Sequence, residues 1–159
     1  MTLTVLLVLF VVSAVVAATV VVRTQKRKFA EANVVVPGTS TKAPAEWAGA
    51  HTPEARLHRR LRDAVTAVRA NPAMEDAFMM DARVSLEQQA LAVDERLIAV
   101  AALPEGVRAE PLASVSAAVD AVEAAVAQLV AGPESKPGLE RAMADVEQQV
   151  SRLEQGGSV

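Results

Sequence analysis

The first 22 residues, MTLTVLLVLFVVSAVVAATVVV from Met1 to Val22, contain no charged side chain. As a helix, such a segment spans about 33 Å, against about 30 Å for the hydrocarbon core of a bilayer. Its valine content favours a strand in water. In lipid, however, a lone segment has to satisfy its own backbone hydrogen bonds, so one transmembrane helix is expected. A cleaved secretory signal is the competing reading, with a positive leading region and an apolar run of about 7–15 residues. Here no Lys or Arg precedes the apolar run, which is also longer, so a retained anchor is expected.

Arg23, Lys26, Arg27 and Lys28 follow at once. Basic residues beside a membrane segment favour the cytoplasmic side. The expected topology in the plasma (inner) membrane is therefore N-terminus outside and C-terminal body cytoplasmic. Within the segment, Ser13, Ala14, Ala17 and Ala18 form two overlapping small-xxx-small pairs, a spacing that lets a neighbouring membrane helix approach closely. The alternative is that such residues are merely tolerated in lipid. Packing against other integral membrane subunits is the sharper reading.

The net charge of −3 conceals an asymmetry. Residues 23–70 carry ten Lys/Arg against four Asp/Glu, a net +6, while residues 71–159 carry six against fifteen, a net −9. Anionic lipids attract the first part and repel the second, which suggests a body standing away from the bilayer. With no Cys, disulfides, thiolate nucleophiles and zinc–cysteine sites are excluded. Three Phe, one Trp and no Tyr are a poor supply for an aromatic pocket or a base-stacking surface.

The expected organisation is a transmembrane helix (1–22), a basic juxtamembrane segment and Pro/Ala linker (23–50), and a cytoplasmic helical bundle (51–159). In the linker, Pro37-Gly38, Ser40, Thr41 and Ala43-Pro44 break any periodic pattern. Val34, Val35 and Val36 form an apolar run suited to a sheet edge or a groove, and Trp47 is a residue type that anchors interfaces. These four are expected to dock on a partner. The alternative is that they cap the chain's own helical core.

Beyond the linker, Thr52-Pro53-Glu54 is a helix start, and Asn71-Pro72 a stop. Leu57, Leu61, Ala64 and Val68, widened by Val65, give an apolar stripe spaced by fours and threes. A second helix is expected over about 73–102, with Met79, Ala82, Leu86, Ala90, Val93, Leu97 and Val100 facing inward. A third, starting near Pro111 and ending at Gly132-Pro133, presents Leu112, Val115, Val119, Val122, Val126 and Leu129. A fourth, from near Pro137 to about Glu154, presents Leu139, Met143, Val146, Val150 and Leu153. A period near 3.5 residues predicts coiled-coil-like packing, and short connections predict antiparallel neighbours. The fold class is all-α: a single N-terminal transmembrane helix, then a heptad-type antiparallel bundle or pair of hairpins of about four helices. The alanine-rich stripes leave a thin core, so self-association through the heptad helices or a partner is expected to assist it.

No motif for chemistry emerges. His51 and His58 lack a third metal ligand and read as exposed residues flanking a helix start. Glu75, Asp76, Asp81, Glu87, Asp94, Glu95, Asp120, Glu123, Asp145 and Glu147 sit off the main stripes, form no Glu-x-x-His motif, and read as solvated faces. Phosphate loops, dinucleotide fingerprints and HExxH are absent, and Ser85, Ser114 and Ser116 have no histidine in a motif-like position. Arg56, Arg59, Arg60 and Arg62 lie on one amphipathic helix. A solvated face, lipid headgroups or an acidic partner suit them better than nucleic acid, given the acidic distal body. No bound cofactor, metal, nucleic acid or small-molecule substrate is expected, and no catalytic activity of the chain's own.

The stretch RTQKRKFAEANVVVPGTSTKAPAEWAGAHTPEARLHRRLRDAV, residues 23–65, together with an anchor and a heptad-rich tail, resembles small accessory subunits of the actinobacterial cytochrome bcc–aa3 respiratory supercomplex. The resemblance implies a non-catalytic polypeptide docked beside a haem–copper cytochrome c oxidase, with the haem and copper ligands on other subunits. A membrane-tethered coiled-coil scaffold or adaptor in envelope or division machinery, or a regulator binding a cytosolic protein, would share the same general features.

Overall fold

In a computed structural model of the chain, residues 33–71 and 77–156 are described. The expected membrane helix with Ser13, Ala14, Ala17 and Ala18, the basic run Arg23, Lys26, Arg27 and Lys28, and the acids Glu75 and Asp76 lie outside the described residues.

Helix α1, Pro53–Arg69, starts as its sequence predicts: the Thr52 hydroxyl accepts from the Ala55 amide at 3.3 Å, and Pro53 occupies the first turn. Helix α2 is Ala77–Ala101. Only residues 102–104 separate it from α3, Glu105–Val130. This start corrects the expectation of a helix beginning near Pro111, which instead lies inside α3. A proline at that point removes one backbone hydrogen bond, but Glu105, Arg108, Ala109 and Glu110 are helix-compatible and carry the turn before it. The Arg108 guanidinium also donates to the Leu103 carbonyl at 2.6 and 3.1 Å, tying the helix entry to the connection. Gly132, at φ +91°, ends α3 with its amide on the Leu129 carbonyl, a left-handed position that glycine takes without Cβ strain. A 3₁₀ turn, Pro133–Ser135, then leads into α4, Lys136–Gln155.

The heptad stripes become the core. Leu61, Val68, Leu86, Ala90, Val93, Leu97, Val115, Val119, Val122, Leu129 and Val146 are fully buried, joined by Ala118 and Ala125. Leu112, Met143 and Val150, expected inside, are only partly covered. Helices α2 and α3 form the centre; α1 packs against both, α4 packs against both, and α1 and α4 make no substantial contact with each other. One packed body replaces the pair of separate hairpins that the sequence also allowed. No strand occurs among the described residues.

Of the described helices, α3 alone is long and apolar enough to cross a membrane by length and composition. It lies at residues 105–130, not at the N-terminus, and its apolar face is spent inside the bundle, with Val115, Val119, Val122 and Leu129 at 0% exposure.

Residues 33–50, expected to be a linker, belong to the folded body. Val36 to Thr39 turn back sharply, with the Thr39 amide on the Val36 carbonyl at 3.1 Å and Gly38 at φ +95°. Pro then Gly at the two central positions is the signature of a type II turn. A single 3₁₀ turn over Ala45–Ala48 carries Trp47 onto the bundle. Val35 and Val36 are buried, Val34 is half-buried and Trp47 is 6% exposed. The expectation that these residues dock on a partner is therefore corrected for Val35, Val36 and Trp47, which the chain's own core covers. A valine run and a tryptophan lose the most water-exposed apolar surface by the nearest available burial, and the chain's own core supplies it in cis, with α1 packed against the turn that carries Trp47.

Candidate functional site

The polar centre of the molecule lies under this strap. His58, on α1, is 0% exposed. Its Nδ1 is 2.6 Å from Oδ1 of Asp94 on α2, and its Nε2 donates to the Asn33 carbonyl at 2.8 Å. A carbonyl only accepts, so Nε2 is the nitrogen that donates to Asn33, and Nδ1 is turned to the Asp94 carboxyl. The Nδ1–Oδ1 contact is a short side-chain hydrogen bond between two buried groups. Trp47 stands edge-on to the imidazole, with centroids 5.5 Å apart and planes at 61°. Asn33, 1% exposed, reaches across the strap and donates from Nδ2 to the Pro44 carbonyl at 3.0 Å.

Around this centre the arginines of α1 bind the chain itself. Arg59 donates to the carbonyls of Trp47 at 3.0 Å and Ala50 at 2.7 Å, fixing the strap's return. Arg69 forms a two-point bond with Glu87 on α2 and also donates to the Pro37 carbonyl at 3.3 Å. Arg60 takes Glu123 in a two-point bond and Asp120 at 2.6 Å, both on α3. Hydrogen bonding to Glu123 and then Asp120 raises the Arg60 guanidinium above its ordinary value, and Glu87 does the same for Arg69. Arg108 on α3 returns the pattern to Glu54 on α1 at 3.1 Å. Burial pushes the Glu54 carboxyl up. Its own backbone N–H, Arg108 and the Thr52 hydroxyl outweigh that and hold it below 4.5.

Two expectations are therefore corrected. Glu87, Asp94, Asp120 and Glu123 are not simply solvated faces: each answers a base on α1. Of the basic run, Arg59 and Arg60 are engaged within the chain and Arg62 meets its neighbour Asp63 at 2.9 Å, while Arg56 alone of the four stays exposed. His58 is not exposed. A signal for it was present: His58, Leu61, Val65 and Val68 are spaced three, four and three, as are Ala90, Asp94 and Leu97 by four and three. Two polar residues standing on apolar stripes mark a buried pair.

The arrangement binds; it does not expose reactive groups. Both imidazole nitrogens are occupied and the ring is sealed, so His58 has no free lone pair for a metal or a substrate proton. His51 is exposed and separate from it. Among the described residues no group of three His, Asp or Glu side chains is placed to hold a metal ion. No family model, curated protein or solved structure matches the chain.

Proposed function

We propose that this chain is a non-catalytic, single-pass membrane subunit whose helical body docks on and stabilises a larger membrane complex. The observation that carries the reading is the uncharged segment Met1 to Val22 followed at once by Arg23, Lys26, Arg27 and Lys28, the pattern of a membrane anchor with its body on the basic side. The uncharged segment Met1 to Val22 supplies the anchor, and the basic run after it orients the body to the cytoplasmic side of the plasma membrane. The internal use of both His58 nitrogens supports a role without chemistry of its own.

The assembly to test first is the cytochrome bcc–aa3 respiratory supercomplex, on the resemblance of residues 23–65. The experiment is purification of the tagged full-length chain in a mild detergent, followed by mass spectrometry and haem absorption. The expected result is co-purification with haem-bearing integral membrane subunits. Recovery of a haem-free, self-associated species overturns the respiratory assignment and favours a scaffold. Ser158→Cys tests the topology: the thiol should be shielded from impermeant reagents in intact cells, and ready labelling overturns the cytoplasmic placement.

A further inference from the structure

The seam between α2 and α4 does not close. The two helices run in the same direction, and along their first halves lies an open groove of about 400 Å³. Its floor is apolar: Leu139 is buried, and Phe78 and Met143 are half-buried against the core. Its rim is acidic, with Asp81 from α2 and Glu140 and Glu147 from α4, all three exposed. None of the three forms an ion pair or side-chain hydrogen bond among the described residues, in contrast to Glu87, Asp120 and Glu123 on the α1 side. At the far wall Gln89 Oε1 is buried without a donor, while its amide nitrogen reaches the Ser85 hydroxyl at 3.3 Å. At the near end Lys136 Nζ lies 4.2 Å over the Phe78 ring, so the groove already accommodates one cation from the chain itself.

We infer that this groove receives a basic amphipathic helix of a partner protein. The inference rests on the docking reading above and names the partner's chemistry. Phe78 to Gln89 covers about 16 Å of helix axis, or three turns. A seam between two helices accepts a third through apolar residues spaced by threes and fours. The occupant's apolar stripe lies on Phe78, Leu139 and Met143, its Lys or Arg flanks meet Asp81, Glu140 and Glu147, and a donor satisfies Gln89. An anionic bilayer surface is repelled by that rim. A second copy offering α1 is disfavoured because Arg59, Arg60 and Arg69 are already bound within their own chain.

The test uses the full-length chain in phosphatidylcholine nanodiscs and a fluorescent amphipathic peptide of leucine and lysine in heptad spacing, with empty discs as the blank. The control peptide replaces every lysine by glutamate. Saturable binding of the lysine peptide is expected, weakened at least tenfold by Glu140→Lys with Glu147→Lys and, independently, by Asp81→Lys. These sites are exposed, and an unchanged circular dichroism spectrum confirms that the body stays folded. Binding unchanged by either reversal, or equal binding of the glutamate peptide, overturns the inference. Two outcomes separate it from the docking reading. Wild-type chain recovered alone from membranes, with rim-dependent peptide binding intact, removes the docking reading and keeps the groove. Charge-reversed chain that recovers its membrane partners undiminished removes the groove and keeps the docking reading.

Discussion

Helices α1 and α4 occupy matching positions, each resting on both α2 and α3, yet they are held by different forces. Helix α1 is fixed by directional bonds: His58 to Asp94, Arg60 to Asp120 and Glu123, Arg69 to Glu87, and Glu54 to Arg108. Among the described residues α4 has no ion pair to another helix; Leu139, Val146 and Leu153 seat it, with the Lys136–Phe78 contact at one end. Directional bonds fix register and orientation, whereas apolar burial is nearly indifferent to small displacements. The flank nearer the strap is thus specified by polar geometry, and the far flank is kept in place by packing alone.

The contrast is most sharply broken at Asp94. Asp94→Ala leaves Nδ1 of a buried imidazole without its partner, and an unsatisfied buried polar group of this kind costs about 3 kcal/mol. Urea unfolding should show that drop, and hydrogen exchange should show early exposure of the strap around Trp47. Retained stability would mean that the pair does not organise the α1 side. On the other flank, Leu139→Ala should cost about 2–4 kcal/mol through lost burial and a residual cavity. Its effect should be insensitive to salt, and a strong salt dependence would place hidden charge interactions on α4. Arg60→Met addresses the half-exposed cluster with Asp120 and Glu123 and should cost about 1 kcal/mol or less, diminishing further in high salt. Glu54→Gln is the smallest change. The folded Glu54 carboxyl sits below its ordinary value of 4.5, so its contribution is present above that value and is lost as the pH falls through the lowered one. The variant should be destabilised by less than about 1 kcal/mol at neutral pH and match the parent in acid, as read from thermal melts across pH.

The helices and their inward faces were readable from sequence because burial on a helix leaves a period of three and four, and the stripes of Leu57 to Val68 and Met79 to Val100 carry it. Pro111 misled because local propensity opposes a helix interior there, whereas packing of Val115 and Val119 rewards continuing the same helix backwards. The strap was hidden for another reason. Its order depends on bonds between residues far apart in the chain, such as Arg69 to Pro37 and His58 to Asn33, and no local pattern encodes them. The arginine partners are equally non-local: Arg60 and Glu123 are 63 positions apart, and sequence supplies only the two charges. The His58–Asp94 pair lay between these extremes, marked by polar residues on apolar stripes but unmatched until the helices were brought together.

The strap also sets where mechanical load enters the body. Tension transmitted along the chain toward residue 33 first meets the Asn33 carbonyl held by His58, which is itself bound to Asp94 on α2. From there it is shared with the anchorages at Pro37, Trp47 and Ala50 before reaching the first turn of α1. This is the layout of strain relief on a cable, in which tugging is absorbed by the sheath and the terminal is spared. A body fastened in this way can be jostled from its N-terminal side without its first helix being peeled from the bundle end by end.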